Sequence, residues 1–213
     1  ALARELGVQS VFAAHDYEPS AIERDRMVFG ALAHAGIALH TVKDHVVFER
    51  RELLTRTGTP YTVFTPYKKA WLALVNEQQL QSHDITTHTP ALAARAQAMR
   101  RPVPTLQEIG FAPSNLRALK ITPGISGARA LFADFFERMD QYHETRDYPS
   151  IKGPSYLGVH LRFGTVSIRR LAAAALQASM TGSAGAAVWL SELVWREFYF
   201  QILANFPHVA QSA

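Results

Sequence analysis

Cysteine is absent from these 213 residues. That excludes disulfides, thiolate catalysis, and zinc or iron–sulfur centres built on cysteine. Charge of one sign is nearly balanced by the other: 22 Lys and Arg face 18 Asp and Glu, a formal +4, with a pI of about 9.5. The mild excess fits a polyanion partner but does not demand one; on charge alone an ordinary basic globular protein is the favoured reading. Long apolar runs are missing, so no membrane span is expected and the reading is a cytoplasmic protein. The nine histidines show no metal-ligand spacing, and no metal is expected. There is no glycine-rich loop of Walker or Rossmann type and no serine-hydrolase elbow. An initial Met is lacking, and the run from Ala1 to Gly7 already looks helical. The expectation is a chain entered in mid-fold.

What is present suggests two kinds of structure. After the short helix, Val8 to Ala14 reads as a buried strand and His15 to Pro19 as a loop at its carboxyl end. Ser20 is a candidate N-cap for a helix over Ala21 to Ala35, and Ile37 to Val42 a second strand. Helix, strand, helix, strand is the rhythm of a parallel α/β sheet. A turn-rich stretch from Thr57 becomes helical after Pro66. Residues 76–126 are polar and proline-rich and read as a connector. From Gly127 the apolar spacing is helical, with a break at Gly164, a new helix near Ser167, and a long final helix ended by Asn205 and Pro207. The expected fold is therefore α/β plus all-α: a partial α/β domain over residues 1–75, a linker over 76–126, and a partial helical domain over 127–213.

The final helix contains AVWLSELVWREFYFQIL, Ala187 to Leu203. Trp189, Glu192, Leu193 and Arg196 fall at i, i+3, i+4 and i+7, on one face. Trp195 and Tyr199 stand beside them. One reading is an amphipathic helix whose Glu192 and Arg196 form a solvated i,i+4 pair. The other is a pocket wall that stacks planar rings and hydrogen-bonds their edges, as flipped nucleobases and flavins require. Upstream, Gly153, Pro154 and Ser155 open a helix, with Ser155 as the expected N-cap. Its free N–H groups would suit a phosphate or be an ordinary cap. Arg146 and Arg162 suit DNA phosphates or a plain solvated surface.

These stretches, RDYP from Arg146, LRFG from Leu161 and above all WLSELVWREFY from Trp189, resemble the photolyase/cryptochrome family, most of all class I cyclobutane pyrimidine dimer photolyases. DYEPSAIERD and YTVFTPYKKAWL are similar to the family's antenna domain. The resemblance runs in order over nearly the whole chain. It implies a Rossmann-like antenna domain, a long linker and an all-α domain holding FAD. It also implies light-driven DNA repair: excited reduced FAD donates an electron to a flipped-out dimer, the ring-joining C–C bonds split, and the electron returns.

Position by position, the resemblance makes Tyr142 a flavin-contacting tyrosine and Ser155, Tyr156, Leu157 and Gly158 the loop that holds the FAD phosphates. Trp189 and Arg196 line the flavin. Glu192 bonds both the dimer and the flavin surroundings, and Trp195 stacks on the dimer; these two are the expected catalytic residues. Arg146, Glu192, Trp195, Arg196 and Tyr199 form the DNA-contacting surface. Damaged DNA is the implied partner of a monomeric enzyme associated with the nucleoid through it.

Departures accompany the match. The family's phosphate loop reads Thr-Ser-Arg-Leu-Ser where this chain has Pro154-Ser155-Tyr156-Leu157-Gly158. Ser20 and Ala21 stand where folate-binding members have Asn-Glu, so a second antenna chromophore has no assigned identity. Family members continue well past residue 213, so the expectation is weak FAD binding by these residues alone and exposed apolar surface. Two alternatives stay open: a cryptochrome-type blue-light receptor, and a non-catalytic nucleotide- or DNA-binding fragment.

Overall fold

The computed structural model describes residues 1–96, 99–100, 102–119 and 121–211. Helix α1 (Leu2–Glu5) is short and ends before Gly7, whose φ of +60° favours glycine. Strand β1 (Ser10–Ala14) leads through a loop to α2 (Pro19–Ala33) and then to β2 (Ala38–Val42). The two strands pair in parallel, Ser10 opposite Ala38 through Ala14 opposite Val42. The helix between them is the crossover that parallel pairing needs. Its N-cap is Glu18, with Pro19 in the first turn, so the cap lies two residues before Ser20. Proline preorganises a first turn and loses no helical hydrogen bond there.

Helix α3 (Phe64–Leu74) begins two residues before Pro66. Helix α4 (Glu77–Leu80) follows, opened by a capping box in which Asn76 and Gln79 satisfy each other's backbone N–H groups. The connector is thus partly structured, with further short 3-10 stretches at Thr86–Ala91 and Leu116–Leu119. Positions 97, 98, 101 and 120 of the expected linker lie outside the described residues.

The helical part contains α5 (Gly124–Phe136), α6 (Tyr142–Thr145), α7 (Gly158–Arg162), α8 (Ile168–Met180) and α9 (Ala184–Asn205). Helix α5 starts three residues earlier than the periodicity suggests. Ser167 and Ser183 cap α8 and α9 by accepting from Arg170 N–H and Ala186 N–H. Gly164, at φ +64°, makes the break before α8. Ser155 is not a cap: α7 begins at Gly158 with Leu157 before it.

One apolar core joins the two parts. Val47, Phe48, Leu53, Tyr67 and Trp71 from the first part pack with Phe135, Met139, Leu171, Trp189, Val194 and Phe198 from the second. Burying these side chains supplies the main drive for the two parts to dock. Exposed large apolar side chains remain, among them Phe12, Met27, Phe29, Phe163 and Met180. No helix among the described residues is long and apolar enough to cross a membrane.

Candidate functional site

Helix α9 organises the site because nearly its whole circumference is used. Its amino end is pinned where Gly185 meets the carbonyl of Met139. A Cβ there would sit 2.0 Å from that oxygen. Ser183 also bonds Asp140.

Further along, α9 grips the chain leaving β2. Arg196 Nη1 donates to His45 O at 2.7 Å, Gln201 Nε2 to Phe48 O at 2.7 Å, and Asn205 Nδ2 to Arg50 O at 3.3 Å. Arg169 of α8 adds bonds to Asp44 O and Val46 O. Glu197 lies at the centre, 1% exposed. Its Oε2 accepts from Val47 N–H at 2.5 Å. Its Oε1 accepts from Phe48 N–H at 3.0 Å, the Tyr67 hydroxyl at 3.1 Å and Trp71 Nε1 at 2.8 Å. Burial pushes the Glu197 pKa up, and these four donors pull against that rise. Burial, and then the same carboxylate beside it, push the Tyr67 hydroxyl up.

Glu192 and Arg196 are not partners. Glu192 Oε1 accepts from Arg146 Nη1 of the segment after α6 at 2.5 Å. The hydrogen bond holds the Arg146 guanidinium above its ordinary pKa. Arg146 also lies 5.6 Å over the Tyr142 ring. Arg196 covers the Phe200 ring at 4.6 Å, and burial lowers its pKa. The solvated i,i+4 pair of the amphipathic reading is therefore not formed.

The rings separate into two groups. Trp189 is 3% exposed and lies between Phe132 and Phe135, at 6.1 and 4.7 Å. Tyr142 is buried edge-on to Phe135, and burial raises its hydroxyl pKa. Trp195 stacks on Phe64 at 3.6 Å and on Tyr199 at 5.5 Å, and Tyr199 is 63% exposed. Glu192, Arg146 and Trp195 are half-buried and, with exposed Tyr199, make a charged and aromatic patch that borders solvent, while Trp189 and Tyr142 belong to the core.

The 153–158 loop is held by a residue with no role in the sequence reading. Arg138 donates to the carbonyls of Lys152, Gly153 and Pro154 at 2.5, 2.7 and 2.9 Å. Asp134 holds Arg138 and Lys152 in turn. Because a peptide unit is planar and trans, turning Pro154 C=O to Arg138 turns the Ser155 N–H away. Ser155 Oγ accepts from Leu157 N–H at 3.4 Å. Tyr156 is exposed and adopts a left-handed φ of +56°. Gly158 borders two cavities. One, of about 700 Å³, is lined by Asp134, Lys152 and Tyr156 among others. The other, of about 360 Å³, is lined by Arg162, Arg196, Tyr199 and Phe200 among others.

The family model described as DNA photolyase matches residues 1–103. A deoxyribodipyrimidine photo-lyase of Vibrio cholerae is 32% identical over 99% of this chain and 45% of its own length. One of Halobacterium salinarum is 35% identical over 95% of this chain and 43% of its own length. The chain belongs to the DNA photolyase family. It spans about half the length of these curated relatives. The fold agrees: the crystal structure of a bacterial class III photolyase from Agrobacterium tumefaciens superposes with a TM-score of 0.79 at 24% identity, covering 99% of this chain and 44% of that one.

Within this photolyase-family chain, sequence reasoning missed Glu197 and Arg138. Glu197 had a legible signal: it sits four residues after Leu193, three after Val194 and three before Phe200, a charge among apolar neighbours. For Arg138 the i,i+4 pair with Asp134 was legible, but its grip on the loop was not, because the carbonyls lie 14 to 16 residues away.

Proposed function

We propose that this chain is part of a light-dependent DNA repair enzyme that splits cyclobutane pyrimidine dimers, with FAD as its electron donor. The observation that carries the reading is the Arg146–Glu192 pair next to the Trp195 and Tyr199 rings in a photolyase-family chain. In this proposal residues 1–75 form the α/β antenna part, 76–126 the linker and 127–213 the helical part. A flipped dimer stacks on the exposed ring system, and Glu192, oriented by Arg146, accepts from the base edge. Arg146 supplies positive charge to the strand. The enzyme acts as a monomer on damaged DNA inside the cell. A second chromophore is compatible with the α/β part, and its identity is unassigned.

The residues present fit one end of FAD. The Ser155 N–H, turned away from Arg138, and the exposed Tyr156 suit its phosphates. Gly158 and Arg196 share the smaller cavity. That cavity, at about 360 Å³, is at the low end for a drug-sized ligand, and FAD is larger. Trp189 and Tyr142 are buried among their own rings, and neither cavity beside the loop takes them in. When bound, FAD supplies the light-excited electron. The part of this chain is to hold the cofactor's phosphate end and to receive and orient the lesion.

The test is binding and repair of a dimer-bearing oligonucleotide by flavin-loaded protein, in the dark and under blue light. The expected result is tighter binding to damaged than to undamaged DNA and dimer loss that requires light. Lesion binding equal to undamaged binding, or no dimer loss under light by protein carrying reduced flavin, refutes the proposal.

A further inference from the structure

The face of α3 that meets α9 carries Phe64, Tyr67 and Trp71, at i, i+3 and i+7. Tyr67 and Trp71 both donate to Glu197. Two bonds from successive turns to one buried carboxylate set the roll of α3 about its axis. Phe64 then falls face to face on Trp195, with centroids 3.6 Å apart and planes 10° apart. Phe198 stands edge-on to both rings, at 5.8 Å and 68° from Phe64 and at 5.6 Å and 77° from Trp195. An indole with one ring against its face and another against its edge has a single low-energy orientation. Trp195 is the member shared by this pair and by the near-parallel pair with exposed Tyr199.

We propose that Phe64 is a positioning residue for lesion recognition: from the α/β part of the molecule it sets the plane in which Trp195 meets a flipped base. This rests on the reading of Trp195 as the ring that receives the dimer. Stacking depends on parallel planes at contact distance, so an indole free to tilt loses much of its hold on a base. Undamaged duplex keeps its bases stacked and does not engage Trp195. The ring of Phe64 therefore affects the ratio of damaged to undamaged affinity, not general affinity for DNA.

The experiment compares the wild-type full chain with Phe64→Leu, Phe64→Met, Phe64→Tyr and Trp195→Ala. Fluorescence anisotropy gives dissociation constants for a dimer-bearing and an undamaged oligonucleotide. Near-ultraviolet circular dichroism reports the Trp195 environment, and thermal unfolding reports the fold. Leucine and methionine keep the apolar volume and lose the ring, so the fold is expected to persist in at least one of them. Whichever folds is expected to lose discrimination by about tenfold, keep its affinity for undamaged DNA and change the near-ultraviolet spectrum. Tyrosine restores the ring and is expected to restore discrimination. If Trp195→Ala loses discrimination while the Leu and Met variants keep it, the Phe64 inference is overturned and the function stands. If Trp195→Ala itself discriminates like wild type, the assignment of Trp195 fails and Phe64 falls with it.

Discussion

Replacing Glu197 by alanine removes the acceptor of four hydrogen bonds at once. Val47 N–H, Phe48 N–H, the Tyr67 hydroxyl and Trp71 Nε1 are left in a site that is 1% exposed. A buried donor stripped of its partner costs about 1–3 kcal/mol. Even at the low end, four such donors amount to about 4 kcal/mol. Native domains hold only about 5–15 kcal/mol in total, so Glu197→Ala is expected to lose most of its stability. Glu197→Gln keeps the shape and one acceptor oxygen. If that oxygen serves the Phe48, Tyr67 and Trp71 donors, the amide nitrogen faces the Val47 N–H, leaving that donor and the amide's own N–H groups unmet, at about 1–3 kcal/mol for each. The order is therefore wild type, then Gln, then Ala, measured by urea unfolding followed through tryptophan fluorescence. Because the folded pKa of Glu197 is raised, its titration contributes stability fully below the unfolded value. That contribution is lost as pH rises through the folded value. Wild type should gain on the non-titrating Gln variant as pH falls. An Ala variant within about 1 kcal/mol of wild type, or a gap to Gln that widens as pH rises, refutes the reasoning.

Three other outcomes are expected. Gly185→Ala places a Cβ against Met139 O and Asp140 O, at 2.0 and 2.4 Å. Backbone oxygens cannot give way there as a flexible side chain would, so the melting temperature falls although α9 gains helix propensity. The Arg146–Glu192 pair is part-exposed, so Arg146→Ala or Glu192→Gln changes stability by less than about 1 kcal/mol. Each still weakens binding to a dimer-bearing oligonucleotide, read by anisotropy; unchanged lesion affinity would count against the site. Neither of the two cavities beside the 153–158 loop is lined by Trp189 or Tyr142. The 213-residue polypeptide is therefore expected to take up FAD well below one equivalent, measured by visible absorption after desalting; a full equivalent would show that the core opens around the ring system.

How much of this was legible in the sequence differs from element to element. The parallel strands, the α2 crossover, the Gly164 break and the Ser167 start of α8 follow from local rules: alternation, helical spacing, capping and glycine. Helix starts at Phe64 and Gly124 came earlier than expected because tertiary packing, not the local pattern, decides where a marginal first turn ends. Ser155 looked like a cap from its residue type, yet Arg138 draws the preceding carbonyls away and α7 begins at Gly158. The partners of Glu192 and Arg196 were unreadable for a related reason. On an isolated helix they are each other's nearest opposite charge. In the fold, Arg146 and the His45 carbonyl are nearer.

What the sequence determines alone is the repertoire: the order of elements, a family likeness that runs along nearly the whole chain, and the set of candidate site residues. What only the tertiary structure decides is the sorting of that set. The folded chain sends Trp189 and Tyr142 inward, leaves Tyr199 exposed with Glu192 and Trp195 half-buried beside it, and ties α3 to α9 through Glu197. The physical reason is range. Spacing along a helix says which side chains share a face, but the donors that satisfy a buried carboxylate lie 126 to 150 residues away in the chain. Their meeting is fixed only once the apolar core has closed around them.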